Sequence, residues 1–249
     1  MKVDVFFSPL QVDELALRGR TVVVIDVLRA STSIAHALFN GAKEIIPVPT
    51  VEAAMKIVGN LAGDVTLLGG ERNGKMIEGF HLGNSPAEYT TERVRGKSIV
   101  FTSTNGSVAL AKARYAAETI VCGFVNISPV AAYLGEMGTD LTILCAGHEG
   151  NFSIEDSVCA GMLLGKLVEE GRHDIMYGDT GTASLILYKN RRRSLYKMVT
   201  ASEHGQYLKS IGFGSDLKLC VDVDAIPILP VLVGNVIKVK SVDTLAVPS

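Results

Sequence analysis

"TVVVIDVLRASTSIAHALFNGA", residues 21–42, passes from an apolar, β-branched run into a segment of helical spacing, with Asp26, Arg29 and the small or hydroxyl residues Ala30 to Ser33 between them. A strand with one wet face alternates polar and apolar residues, and "TVVVI" does not alternate. It reads as a strand buried on both faces, which belongs in a mostly parallel sheet covered by helices on either side.

The same theme recurs along the chain. Strand candidates are 21–26, 44–48, 65–68, 98–102, 119–122 and 141–145; helix candidates are 31–40, 51–61, 105–114, 129–137 and 154–169. Ser153 with Asp156 three residues on forms an acidic variant of the capping box, and Gly171 closes the helix it opens. After residue 175 the pattern changes. "GTASLILYKN" (181–190) and "SEHGQYLKSIG" (202–212) read as helices, "LKLCVDV" (217–223) and "NVIKVKS" (235–241) as strands. The expected fold class is α/β, a three-layer α/β/α arrangement around a mostly parallel or mixed sheet. One compact unit, 1–249, is the expected organisation, with lobes of about 1–175 and 176–249 as its natural subdivision.

The chain has 249 residues, 47% hydrophobic and 20% charged, enough to bury roughly 70–75% of its unfolded surface. Its 24 basic residues against 26 acids leave a net charge of -2, so no global field attracts nucleic acid or an anionic membrane. The basic run Arg191 to Arg193 reads as a solvated helix end. Cys122, Cys145, Cys159 and Cys220 are widely spaced without a C-x-x-C pair, as expected of reduced core thiols in a cytoplasmic protein. The opening "MKVDVFFSPLQVDEL" carries Asp4 and Pro9 where a secretory signal needs a longer apolar run, and no stretch reaches the ~20 apolar residues of a membrane span. A homodimer is the default assembly for a cytoplasmic enzyme of this size.

Ligands of open α/β sheets bind at the carboxyl ends of strands, beside helix N-termini that favour anions. Four such junctions are unusually polar: "DVLRASTS" (26–33), "GGERNGKMIEGFHLGNSPAEY" (69–89), "FTSTNGS" (101–107) and "CAGHEGNFSIEDS" (145–157). Ser103, Thr104, Asn105 and Gly106 offer either a phosphate-binding nest or plain helix capping. Asp26, Glu71, Glu78, Glu149, Glu155 and Asp156 gather carboxylates of the kind Mg²⁺ prefers, although Asp156 also suits a capping box and Glu78 a solvated surface. Asp26 is the hardest to read as incidental, since an unpaired charge at the rim of a core is costly. Arg29 and Arg72 fit either an anion clamp or an ion pair with the neighbouring acid. His81 and His148 sit in the junctions as candidate proton donors or structural groups, whereas His36, His173 and His204 have no cluster around them. No histidine pair has zinc-ligand spacing.

Taken in this order, "DVLRASTSIAHALFNGA", "GGERNGKMIEGFHLGNSPAEYT", "TSTNGSVAL" and "CAGHEGNFSIEDSVCAG" resemble the 2-phosphosulfolactate phosphatase family, the ComB-like proteins of coenzyme M biosynthesis. The likeness covers roughly residues 20–165, and "GSDLKLCVDVDAIPILPV" is similar more loosely. It implies an α/β fold and a Mg²⁺-dependent hydrolysis of a small, anionic phosphate monoester. On this resemblance Asp26, Glu71 and Glu149 are catalytic, with Asp26, Glu71 and Asp156 on the metal side. Arg29, Ser31, Thr32, Arg72, Asn84, Ser85, Ser103, Thr104, Asn105 and Gly106 contact the substrate.

The attacking group is a water or Asp26 itself. Haloacid-dehalogenase phosphatases carry a second acid two residues after the nucleophile, and here that position is Leu28. The rival readings are an isochorismatase-type cysteine hydrolase, built on Cys145, and an anion-binding protein without catalysis.

Overall fold

The computed structural model describes residues 1–60, 66–171 and 173–240. The first strand, β1 (Lys2–Phe6), is followed by β2 (Thr21–Ile25), helix α1 (Ala30–Phe39), β3 (Glu44–Pro47) and α2 (Val51–Asn60). Then come β4 (Thr66–Arg72), β5 (Lys75–Met76), the short α3 (Thr91–Val94), β6 (Ser98–Thr102) and α4 (Gly106–Lys112). The central part continues with β7 (Glu118–Cys122), α5 (Ile127–Met137), β8 (Leu141–Cys145), α6 (Ile154–Glu170) and β9 (Met176–Tyr177). Helices α7 (Asp179–Arg191), α8 (Leu195–Ala201), α9 (Glu203–Ser210) and α10 (Asp216–Cys220) precede a closing hairpin, β10 (Pro230–Val233) and β11 (Val236–Val239).

All these strands join one mixed sheet in the order β5-β4-β6-β3-β11-β10-β7-β2-β8-β1-β9. Strands β4, β6 and β3 are mutually parallel, as are β7, β2, β8, β1 and β9. The β10–β11 hairpin lies between the two groups and pairs antiparallel with β3 and β7, so the groups run in opposite directions. A flat sheet would put their carboxyl ends on opposite edges. At the usual twist of about 20–25° per strand, the five steps from β6 to β2 would accumulate roughly 100–125°. Helix α4 packs on β2, β3 and β6, and α1 on β3, β7 and β10, so both helices bridge the two groups of strands.

The apolar run of β2 serves both faces of the sheet. Val23 and Ile25 join a core with α5 and α6, while Val22 and Val24 join a second core with α1 and α4. A third, smaller core under α2 holds Val48, Ala54, Leu68 and Val100. The predicted strands and helices up to residue 171 are present, with Val65 and Leu61 outside the described residues. Ser153 accepts the N–H of Asp156 at 3.3 Å and Gly171 adopts a left-handed C-cap (φ 63°), as the capping pattern predicts.

Two differences from the sequence reading have physical causes. The stretch 217–223, expected as a strand, carries helix α10 over Asp216–Cys220, because Leu217 and Cys220 point one way at helical spacing and are fully buried. Its neighbour 235–241 is a strand as expected, Ser241 lying outside the described residues. Strand β1 was not foreseen: its polar Lys2 and Asp4 alternate with buried Val3 and Val5 between β8 and β9. Arg191 to Arg193 are exposed at the end of α7, and all four cysteines are buried, free thiols. No helix among the described residues is long and apolar enough to cross a membrane.

Candidate active site

The loops after β2, β4, β6 and β8 converge on a cavity of about 190 Å³. Asp26, Arg29, Glu71 and Asn84 line it, together with Thr104, Asn105, His148 and Glu149, and α9 adds His204 and Tyr207. Drug-sized ligands occupy roughly 300–1,000 Å³, so this volume suits a small metabolite.

Asp26 follows the last residue of β2 and opens the turn that leads into α1. Its Oδ1 accepts the N–H of Ala30 at 3.2 Å, its own N–H is donated to Ser31 Oγ at 2.9 Å, and Thr32 Oγ1 donates to Val27 O at 3.1 Å. Ser31 and Thr32 therefore fasten the strand-to-helix turn and are not among the residues that line the cavity. Burial pushes the Asp26 carboxyl up to about 7; Glu71 and Glu155 add to the rise, and the Ala30 N–H and Arg29 oppose it.

Glu71, at the end of β4, is buried and ties two loops together. Its oxygens accept the N–H of Gly74 at 2.8 Å and the N–H and hydroxyl of Thr104 at 2.7 and 3.2 Å. Ser103 exchanges hydrogen bonds with Ser107, donating its N–H at 2.8 Å and receiving that of Ser107 at 3.0 Å, so it caps α4 away from the cavity. Asn105 Oδ1 accepts the N–H of Glu149 at 3.1 Å, joining the β6 and β8 loops, and Glu149 is exposed at the rim.

The two arginines part company. Arg29 lines the cavity, and its ion-pair partner is Asp216 at 2.7 Å rather than the neighbouring Asp26; Nη2 also donates to Gly74 O at 2.6 Å. Arg72 does not line the cavity: it donates to Glu71 O at 2.7 Å and Thr102 Oγ1 at 3.0 Å. Asn84 lines the cavity with a buried Oδ1 that has no protein partner, whereas Ser85 is turned to Asp216, donating to its Oδ1 at 2.7 Å.

Asp156 stands behind the cavity wall. It accepts the N–H of Val27 on Oδ1 at 2.8 Å and that of Gly147 on Oδ2 at 3.0 Å, so it clamps the β2 and β8 loops instead of closing a capping box. Burial, with Asp26 and Glu155 nearby, raises its carboxyl well above the usual carboxylate range. Glu155 is likewise raised by burial.

His204, expected to have no cluster around it, stacks on His148 with ring centroids 4.5 Å apart and stands 3.7 Å from Glu155. Burial, then His148 and Arg29, push His204 down to about 3, so it is neutral at physiological pH. His204 and Tyr207 are three residues apart on α9, a spacing that puts both on one helix face and was the available signal for them. Tyr207 donates to Asn73 O at 2.9 Å, linking α9 to the β4–β5 turn. His81 is structural: its Nδ1 accepts the N–H of Leu68 at 2.9 Å. Glu78 is exposed and does not line the cavity. Cys145, the residue a cysteine hydrolase would require, is fully buried with its thiol pushed up by burial, the opposite of an activated nucleophile.

Comparison with known proteins shows the family of the chain. Residues 6–235 match the family model described as 2-phosphosulpholactate phosphatase. A "probable 2-phosphosulfolactate phosphatase" of Caldanaerobacter subterraneus subsp. tengcongensis is 43% identical over 227 residues, covering 91% of this chain and 93% of its own. Proteins of the same description from Symbiobacterium thermophilum and Thermotoga maritima are 39% and 38% identical, covering 86% and 96% of this chain and 92% and 98% of their own. The α/β framework that carries the acidic cavity is thus matched over nearly all of its length, and the chain belongs to the 2-phosphosulpholactate phosphatase family.

Proposed function

We propose that this chain hydrolyses 2-phosphosulfolactate to sulfolactate and phosphate, with Mg²⁺ bound at Asp26 and Glu71. Its family makes it a phosphoric monoester hydrolase. The substrate follows from the names its relatives carry, and the reaction belongs to the type used in coenzyme M biosynthesis. The observation that supports the reading most is the meeting of two buried carboxylates, Asp26 and Glu71, with the Arg29 guanidinium on one small cavity.

The donor set suits a hard, oxygen-seeking ion. Mg²⁺ is commonly held by one or two carboxylates, with waters and phosphate oxygens completing its shell. Asp26, Glu71 and the unpartnered Oδ1 of Asn84 are donors of that kind. Among the described residues no group of three or more His, Cys, Asp or Glu is placed to hold a metal ion, so the proposed ion relies on the two carboxylates, Asn84 and non-protein ligands. Asp156 is outside the proposed set because it does not line the cavity; its oxygens hold the β2 and β8 loops behind the wall. When bound, Mg²⁺ neutralises the phosphoryl oxygens.

The chain's own groups divide the remaining work. Arg29 holds an anionic group of the substrate, and Asn84, Thr104 and Asn105 add polar contacts on the cavity wall. Water attacks phosphorus as the ester P–O bond breaks and its proton passes to the departing alkoxide; or Asp26 attacks, the alkoxide takes a proton from water, and the hydroxide so formed hydrolyses the phosphoaspartate to phosphate. Glu149, exposed at the rim, meets water entering the cavity. Nucleic acid and membrane have no place in this reading. A cytoplasmic homodimer is its natural setting, in keeping with four free thiols.

The metal requirement is tested by phosphate release over a set of small phosphorylated acids, with EDTA and then with Mg²⁺ restored. Release that stops with EDTA and returns with Mg²⁺ supports the proposal; release insensitive to both rejects its metal half.

A further inference from the structure

The guanidinium of Arg29 is held by residues that no part of the proposed chemistry uses. Asp216, in α10, pairs with it at 2.7 Å, and both side chains are only 2% exposed. The ring of Phe213 lies 4.4 Å from the guanidinium carbon, and Gly74 O takes a second N–H at 2.6 Å. Asp216 is itself fixed, since its other oxygen receives the Ser85 hydroxyl at 2.7 Å. These bonds use two of the five N–H donors of a guanidinium, and the same residue lines the cavity beside Asp26 and Glu71.

A buried ion pair contributes little net stability compared with apolar residues of the same volume, because desolvation offsets the attraction. What it does supply is direction. A guanidinium recognises an oxyanion through a planar fork, which works only when the fork is aimed.

We propose that Asp216 is a positioning residue: it aims Arg29, so that the guanidinium's remaining N–H groups meet the acidic groups of a small phosphorylated substrate. This rests on the reading of Arg29 as the anion-binding residue of the proposed hydrolase. It gives α10, in the part of the chain with the looser family likeness, a role in substrate affinity. It also explains why Ser85 is turned from the cavity: its hydroxyl fixes the residue that fixes Arg29.

Positioning and simple charge balance predict opposite signs. If Asp216 only neutralised Arg29, replacing it with Asn would leave a stronger positive field and tighter anion binding. If Asp216 aims Arg29, the same change weakens binding although the site has become more positive.

The test is calorimetric binding of inorganic phosphate, with kcat and KM, for the full-length protein and its Asp216→Asn, Asp216→Glu, Ser85→Ala and Arg29→Gln variants. The expected results for Asp216→Asn are phosphate binding weakened about tenfold and a KM raised by a similar factor, with a smaller fall in kcat. Asp216→Glu recovers part of the loss, and Ser85→Ala, which keeps the ion pair, loses about two- to threefold in affinity. Should Asp216→Asn not fold, Ser85→Ala and Asp216→Glu decide the matter, and wild-type affinity in both overturns the proposal. Phosphate binding by Asp216→Asn that equals or exceeds the wild type, while Arg29→Gln loses it, overturns the role of Asp216 alone. Unchanged binding in Arg29→Gln overturns the anion-binding reading of Arg29 and the proposal with it.

Discussion

Gly106 stands where a Cβ atom would lie 2.6 Å from Oδ2 of Asp26 and equally close to the Cβ of Ala30. The start of α4 and the acid after β2 are therefore as near as backbone allows, and only glycine permits the approach. Gly106→Ala is expected to keep the fold but displace Asp26, lowering kcat by about 10²-fold, the cost of roughly 1 Å of misplacement. Steady-state kinetics beside a thermal melt check this, and a variant of full activity would contradict the close fit.

The raised Asp26 carboxyl makes stability depend on pH. Its folded value, about 7, lies above the ordinary carboxylate value of 3.8, so the folded state holds the proton more tightly than the unfolded chain. That contribution is complete below the unfolded value and is lost as pH rises through the folded one. In EDTA, Asp26→Asn should gain stability relative to the wild type between pH 5 and pH 8, roughly doubling the unfolding midpoint difference across that window or more. Denaturant titrations at the two pH values measure it, and parallel pH profiles would show that Asp26 is not the group responsible.

Asp156 joins the β2 and β8 loops through Val27 and Gly147. Asp156→Ala leaves two buried N–H groups unpaired and should cost about 2–4 kcal/mol. Chemical denaturation reads the loss, which should be accompanied by reduced turnover because both loops carry cavity residues.

The fully buried Cys145 is predicted to be dispensable for chemistry. Cys145→Ser should retain turnover within about twofold while losing about 1–3 kcal/mol, since a hydroxyl replaces a thiol in an apolar setting. Loss of turnover at unchanged stability would return the cysteine to the mechanism.

Much of the fold was legible because β2, β6 and β8 are buried along their whole length and so carry uninterrupted apolar runs. One junction acid was legible for a related reason: Asp26 is a polar residue directly after the apolar run of β2. Which junction residues face the cavity was not legible. Ser31, Thr32 and Ser103 bond within their own turns, Arg72 reaches backbone and Thr102, and Ser85 reaches Asp216, and none of these choices has a periodicity to betray it. The central place of β10–β11, and the arrival of His204, Tyr207 and Asp216 at the site, depend on long-range pairing. Local pattern does not encode such pairing, and in α10 it pointed to a strand.

The most direct measurement is release of inorganic phosphate from 2-phosphosulfolactate in Mg²⁺, followed for the wild type and for Asp26→Asn at matched folded fraction. Turnover by the wild type that falls by about 10³-fold or more in Asp26→Asn is the predicted result. No release by the wild type, or equal release by the two proteins, would contradict the assignment of this cavity as a phosphatase site.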